Sequence, residues 1–134
     1  MLYAGPRSYR LTLYRPPIYY SSMGSLQGIP EAHFHILIAL ADRDRHGYSI
    51  MQEVASLTNG RTRLSPGTLY GAIQRLLEQG YIEEVHGKTA ADERRRLYAI
   101  TRAGRAAATA EVERMGALVD KARSNGLTPK RRTT

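Results

Sequence analysis

The segment LSPGTLYGAIQRLLEQGYIEE, residues 64–84, constrains the fold more than any other part of the sequence. Ser65 is a favourable helix N-cap, and Pro66 suits the first helical position because its φ angle is already close to the helical value. Gly80 favours the end of that helix because glycine takes the left-handed terminating conformation at little cost. The segment therefore predicts one helix with a well-defined start and end, followed at once by a strand.

The two sides of this predicted helix differ in character. Apolar residues recur at helical spacing along one side, which we expect to be buried. The other side of its N-terminal half carries Gly67, Tyr70, Gly71 and Gln74. Two interpretations of Tyr70 stay open, because it either contacts an outside partner or packs half-buried between helices. For the side as a whole, the small and polar residues predict a surface to which another molecule comes close.

Two further helices are predicted before this segment. The first starts at Pro30, carries apolar residues at helical spacing and is largely buried. A charged connector, residues 42–45, leads to the second helix, which opens at His46 and Gly47 and ends near Gly60. The two apolar stripes comprise Phe34, Leu37, Ile38 and Ala41 in the first helix, and Ile50, Met51, Val54 and Leu57 in the second.

After Gly80 the pattern changes to strands. Residues 81–85 and 94–100 are each predicted to form a strand, with a polar, basic loop between them. A last helix follows over residues 102–123, with Thr101 as its N-cap. Three helices, a hairpin that serves as a wing, and a final helix are the elements of a winged helix-turn-helix protein. The sequence thus predicts a mainly α fold with a small β-hairpin.

The predicted elements divide the chain into four parts. Residues 30–100 form the winged helix-turn-helix domain, and residues 101–123 form a dimerisation helix. Residues 1–29 hold five of the nine Tyr and no sustained period, which predicts a disordered arm. Met23 is a plausible true start within that arm. Residues 124–134 are predicted to be a disordered basic tail.

Composition restricts the class of partner. The formal net charge is +8 and the isoelectric point about 10.1, with 17 Arg among the 20 basic residues. This balance favours a polyanion such as nucleic acid, because guanidinium groups match phosphate oxygens in two-point contacts, although a solvated basic surface would look the same. The absence of Cys is compatible with a reducing cytoplasm. The longest apolar run, residues 36–41, is far too short to cross a membrane, and no signal peptide is predicted.

In a winged helix-turn-helix domain the third helix lies in the major groove of DNA. Its N-terminal turn would bring backbone amides and the positive end of the helix dipole to phosphates. Gln74 is the expected base-specific residue, because glutamine bonds adenine at two points. The wing would add basic side chains, part of which we expect to pair with the acidic residues beside them. The candidate DNA-binding residues are Arg61, Arg63, Ser65, Gly67, Thr68, Tyr70, Gln74, Lys88, Arg94, Arg95 and Arg96.

The last helix predicts a homodimer. Its small and apolar residues fall mainly on one side, and the predicted domain offers little further surface to cover them. An exposed apolar stripe over five or six turns would exceed the patch that a soluble monomer normally shows, whereas a second copy would bury it. The candidate interface residues are Ala107, Ala110, Met115, Leu118, Val119 and Ala122.

Catalytic and metal sites are not predicted. The sequence contains no glycine-rich phosphate loop, no HExxH and no serine in a nucleophile elbow, so no enzyme activity and no cofactor are expected. His33 and His35 are two residues apart, which points them in different directions on a helix. We interpret these histidines as structural residues and expect no metal ligand among them.

Three stretches together resemble one family. They are ILIALADRDRHGYSIMQEV, LSPGTLYGAIQRLLEQGYIEE and DERRRLYAITRAGR, which are similar in order and spacing to the signature stretches of PadR-like transcriptional regulators. The resemblance covers roughly residues 30–123 and implies a cytoplasmic repressor that binds a palindromic double-stranded DNA operator as a homodimer. It places the DNA-recognition helix on residues 65–79 and the wing on residues 84–98. It also implies release by a small aromatic effector, but without Trp no pocket of stacked indoles is available.

Two other functions stay open on the sequence alone. A winged helix can serve as a protein-interaction module without sequence-specific DNA binding. The Tyr- and Arg-rich arm, residues 1–29, could instead bind single-stranded RNA by stacking. The salt dependence of duplex binding separates these functions, because only neutralised phosphates give a steep dependence of affinity on salt.

Overall fold

The computed structural model describes residues 28–86, 89–90 and 95–129. The predicted arm before residue 28, the wing residues Lys88 and Arg94, and residues 130–134 of the tail lie outside the described residues. The described elements, in chain order, are α1 (Glu31–Ala41), β1 (Arg45–His46), α2 (Gly47–Leu57), α3 (Pro66–Glu78), β2 (Ile82–Val85), β3 (Leu97–Ile100) and α4 (Arg102–Ser124). The predicted mainly α fold with a small sheet is confirmed.

Helix α1 lies at the centre of the domain. It packs against α2, α3, α4 and β3, so residues on several of its sides are buried, among them Ile36, Leu37 and Leu40. The single stripe predicted from the sequence was therefore too narrow and partly misplaced. Ile38 is 37% exposed and Ala41 is exposed, because they lie on the arc of α1 that no other element covers.

The helix-turn-helix is formed by α2 and α3. Helix α2 ends at Leu57, and the chain turns through Asn59 and Gly60, whose φ angles are 53° and 79°. Leu57 was predicted to be buried but is exposed, since it lies at the end of α2 where the core stops. The predicted start of α3 is confirmed: the Ser65 side chain accepts a hydrogen bond from the Thr68 backbone amide at 3.2 Å.

The sheet has three strands rather than the two of a hairpin. Strands β2 and β3 form the predicted antiparallel pair, and β1 adds to the other edge of β3 through Arg45 and His46. The prediction of a connector over residues 42–45 was thus wrong for Arg45, which belongs to β1. The Arg45 guanidinium is only 10% exposed, donates to the Ala39 carbonyl at 2.7 Å and pairs with Glu53, so one charged residue ties three elements together.

Helix α4 is fixed to the domain at its first turn. The Thr101 hydroxyl accepts from the Gly104 amide at 3.0 Å and donates to the Gly80 carbonyl at 2.6 Å. Further along α4, the buried Glu111 carboxylate accepts hydrogen bonds from Arg114 and from the Ile29 amide, which joins the helix to the chain entering α1. Within the described residues no helix has both the length and the apolar character that crossing a membrane requires.

We predict that Gly104→Ala destabilises the domain by about 1–3 kcal/mol. A Cβ atom on Gly104 would lie 2.0 Å from the Tyr81 carbonyl oxygen, and the obstacle is backbone that cannot turn away. Thermal unfolding of the variant measures the loss. Gly71→Ala in α3 is the control, because a Cβ there meets nothing within 4 Å and Gly71 lies away from the side of α4 predicted to form a dimer. A Tm for Gly104→Ala equal to that of the control would contradict this close packing.

Candidate nucleic-acid interface

The outer side of α3 is exposed along its whole length. Its inner side is buried against the core through Leu69, Ala72, Ile73 and Leu76. The opposite side presents four exposed residues, namely Gly67, Gly71, Gln74 and Glu78. At the N-terminus of the helix, Ser65 and Thr68 are exposed, and the Ser65 hydroxyl donates to the Thr68 hydroxyl at 3.0 Å. The predicted residues of this helix therefore form one continuous accessible surface.

Two glycines leave part of this helix surface without side chains. A Cβ added at Gly67 or Gly71 would meet no other atom within 4 Å, so nothing in the described structure requires a glycine at either position. A glycine inside a helix costs roughly 0.5–1 kcal/mol relative to alanine. No packing contact of the described structure offsets this cost at Gly71, and the lack of side chains at both positions leaves room for another molecule to approach the helix closely.

Gln74 occupies the centre of this surface. Its side-chain Nε2 donates to the Glu78 carboxylate at 3.2 Å, one helical turn further on. This contact orients the amide and leaves its Oε1 acceptor and its second N–H free to face outward. The geometry thus keeps Gln74 available for a two-point contact with a base edge.

Tyr70 lies at the flank of α3 next to α2. It is 50% exposed, and its ring packs against the first residue of α2, since a Cβ on Gly47 would lie 2.3 Å from the Tyr70 hydroxyl oxygen. Both interpretations of Tyr70 given by the sequence therefore describe part of its environment. One side of the ring packs against the start of α2, and the remainder is exposed.

Arg96 lies at the base of the wing, directly before β3, and contacts residues of both wing strands. Arg96 forms an ion pair with Glu84, with Nε 3.4 Å from Oε2, and also donates a hydrogen bond to the Tyr98 hydroxyl. Burial raises the pKa of the Tyr98 phenol, and the Glu84 carboxylate and the Tyr70 phenol add to the rise. Tyr98 therefore stays neutral and can accept from Arg96. The sequence predicted internal pairing of the wing arginines but not this partner, because Glu84 comes from the other strand.

Three other predicted basic residues lie within the described part of the chain, and all three are exposed. Arg61 and Arg63 lie in the turn before α3, which is held by a 3.0 Å hydrogen bond from the Thr62 amide to the Thr58 hydroxyl. Arg95 is exposed in the wing, shortly before β3. The candidate wing residues Lys88 and Arg94 lie outside the described residues, so their positions stay predictions.

Arg75 was not included among the predicted site residues. It is exposed on α3, next in sequence to Gln74. Burial, with the nearby Arg75 charge adding to it, lowers the pKa of His33. Among the described residues no group of three or more potential metal ligands comes together.

The sequence comparison defines the family. Residues 36–110 match the transcriptional regulator PadR-like family, and this match covers more than half of the 134 residues. The chain therefore belongs to the PadR-like family, which consists of transcriptional regulators and not of enzymes. The resemblance seen in the three sequence stretches is confirmed.

Two relatives are similar over the same part of the chain. A transcriptional regulator of Mycobacterium tuberculosis is 43% identical over 76 residues, which are 56% of this chain and 66% of that protein. An uncharacterised protein of Lysinibacillus sphaericus is 37% identical over 71 residues, which are 53% of this chain and 65% of that protein. The match thus spans just under two thirds of the length of each relative.

Solved structures share the fold. A transcriptional regulator from Clostridium thermocellum aligns with a TM-score of 0.59 at 28% identity, covering 72% of this chain and 90% of that one. A PadR family transcription regulator from Clostridium difficile aligns with a TM-score of 0.58 at 19% identity, covering 71% of this chain and 97% of that one. The second likeness concerns the fold alone.

We predict that Gly71→Ala stabilises the free protein by about 0.5–1 kcal/mol and weakens its binding to duplex DNA about tenfold or more. The added methyl group removes the conformational freedom of glycine, but it also holds the helix surface away from its partner. Thermal unfolding and a duplex titration measure the two effects. Unchanged duplex affinity would show that the low surface of α3 is not a contact.

Proposed function

We propose that the protein is a sequence-specific repressor that binds a palindromic operator in double-stranded DNA as a homodimer. The observation that carries this proposal is the exposed outer side of α3, where two glycines that no packing requires lie beside an oriented glutamine. Exposed arginines border this surface on the turn before α3 and on the wing. Such an arrangement fits a helix in the major groove with phosphates on both sides.

The proposed contacts with DNA are of two kinds, namely contacts with bases and contacts with the backbone. Gln74 is the proposed base-reading residue, because its amide can bond the N6 and N7 atoms of adenine together. Tyr70 is proposed to donate its hydroxyl hydrogen to a phosphate from its position beside Gly47. The other proposed contacts are to the DNA backbone and involve Arg61, Arg63, Ser65, Gly67, Thr68, Arg95 and Arg96, with Lys88 and Arg94 further along the wing. Backbone contacts of this kind position the protein and carry no base identity.

The proposed dimer rests on the exposed side of α4. Beyond Glu111 the apolar side chains of Val112, Met115, Leu118 and Val119 are 38% to 62% exposed. They continue the side by which the first half of α4 packs on its own domain, so no described element remains to cover them. A second copy offers a matching stripe, with Ala107 and Ala122 small enough for close approach of the helix backbones. Ala110 was predicted to belong to this interface, but it lies two turns before Ala117 and so on the other side of α4.

Symmetry then determines the form of the operator. In a two-fold dimer the two α3 helices would enter successive turns of one groove, about 34 Å apart, so the two half-sites would be inverted copies. A dimer that occupies such a site at a promoter excludes RNA polymerase by its presence, and repression needs no further contact. A regulator of chromosomal DNA acts in the cytoplasm of a bacterial or archaeal cell. Release by a small aromatic effector stays a prediction from the family resemblance.

Selection of bound duplexes from a random pool, followed by titration over a range of salt concentrations, tests the proposal. We expect a consensus of two inverted half-sites, and an affinity that falls steeply as salt rises because counterions are released from the phosphates. A protein-interaction module would select no consensus and show no such slope. A preference for single strands would favour the RNA-binding alternative instead.

We predict that Leu118→Glu dissociates the dimer and abolishes operator binding with little effect on the winged domain. The substitution would bring two like charges together near the dimer axis and remove two apolar side chains from the interface. Sedimentation and duplex titration measure the two losses. Ala117→Glu places the same charge on the side of α4 away from the stripe and should leave the dimer intact. A Leu118→Glu variant that still sediments as a dimer would contradict this assignment of α4.

We predict that Gln74→Ala relaxes the base preference at one position in each half-site. If the contact has two points, the discrimination lost there is about 1–3 kcal/mol. Titration against operators that vary only at that position measures the loss, and the affinity for random duplex should stay nearly unchanged. Equal weakening on every sequence would instead make Gln74 a backbone contact.

A further inference from the structure

The Arg96 guanidinium has internal partners at the place where DNA phosphates would lie. Its Nε is 3.4 Å from the Glu84 carboxylate, and it donates a hydrogen bond to the Tyr98 hydroxyl. The backbone of Arg96 is held as well, since the His46 Nδ1 lies 3.1 Å from its carbonyl oxygen. The position of Arg96 at the base of the wing, directly before β3, is therefore fixed even before any partner binds.

Strand register places this group on the side of the sheet that faces α3. Glu84 lies directly opposite Tyr98 across the two strands, so the two side chains point to the same side, and Arg96 is two residues before Tyr98. That side also carries the buried Ile82 and lies close to Tyr70 of α3. The ion pair thus sits between the wing and the recognition helix.

The exposure of the pair makes it exchangeable. The side chains of Arg96 and Glu84 are 75% and 47% exposed, and exposed ion pairs of this kind are weak. Arg45 provides a contrast, because its guanidinium is 10% exposed and is locked among Asp42, Glu53 and the Ala39 carbonyl. A phosphate that came within reach would offer Arg96 two oxygens and a full charge, and it would compete well with a single carboxylate.

We propose that Glu84 is a specificity-determining residue that withholds Arg96 from DNA that is not the operator. On the operator, close docking of α3 brings a phosphate to Arg96, which exchanges Glu84 for it. On other sequences the protein docks loosely, and a phosphate lies too far from Arg96 to displace Glu84, so Arg96 remains with Glu84. Only an Arg96 side chain that Glu84 no longer holds can extend to that phosphate. The operator complex then neutralises one more phosphate per protomer than the non-specific complex. This inference rests on the proposed DNA-binding function and deepens it.

The test compares Glu84→Gln with Glu83→Gln on the selected operator and on a random duplex. Both substitutions remove one negative charge from β2, but Glu83 points to the other side of the sheet and pairs with Ala99. We expect Glu84→Gln to raise the affinity for random duplex by about two- to fivefold per wing beyond the effect of Glu83→Gln, as release of a weak ion pair implies. Its salt slope on random duplex should steepen by up to about 0.9 per protomer. Affinity for the operator should rise less, so the ratio of the two affinities falls.

A double-substitution cycle with Arg96→Ala completes the test. If Glu84 acts by holding Arg96, Glu84→Gln should have no effect beyond that of Glu83→Gln once Arg96 is replaced. Equal effects of the two glutamine variants, or an effect that survives in the Arg96→Ala background, would overturn this inference while leaving the DNA-binding proposal intact. Failure of the parent protein to bind any duplex would instead overturn the proposed function itself.

Discussion

The burial of α1 is the constraint on which the rest of the structure depends. Helices α2, α3 and α4 and strand β3 all pack on it, and Ile36, Leu37 and Leu40 are almost completely removed from water there. Because α1 is enclosed in this way, α3 buries its inner side against the core. The outer side of α3 does not contribute to that core. The domain therefore presents one helix surface whose residues are available for contact with a partner, since the core needs none of them.

Stability and function make opposite demands on that surface. Alanine at Gly67 and Gly71 would fit without any clash in the free protein and would favour the helix. Gly47 and Gly104 are different, because the Tyr70 ring and the Tyr81 carbonyl occupy the space that a Cβ would need. Packing thus requires glycine at positions 47 and 104, whereas no packing contact of the described structure requires it at positions 67 and 71. These last two glycines lie on the outer side of α3.

The sequence predicted elements whose boundaries depend on local chemistry. Ser65, Pro66 and Gly80 determine the ends of α3 by capping and backbone preference, and the structure confirms them. Strand β1 could not be predicted in this way, because a two-residue strand has no period and Arg45 belongs to it only through tertiary contacts. The pairing of Arg96 with Glu84 was also out of reach, since it depends on the register between two strands. The proposed contacts with DNA, and the wing beyond the described residues, stay predictions.

The first turn of α4 links the proposed dimer to the proposed DNA contacts. Thr101 and Gly104 hold this turn against the chain that connects α3 to β2, through the carbonyls of Gly80 and Tyr81. The direction of α4 relative to α3 is therefore fixed by backbone contacts and not by flexible side chains. Since α4 has 23 residues, or roughly 35 Å of helix, the stripe beyond Glu111 keeps that direction well outside its own domain. A second copy bound along the stripe would inherit the same angle, so the spacing of two recognition helices would be determined by one tight turn in each chain.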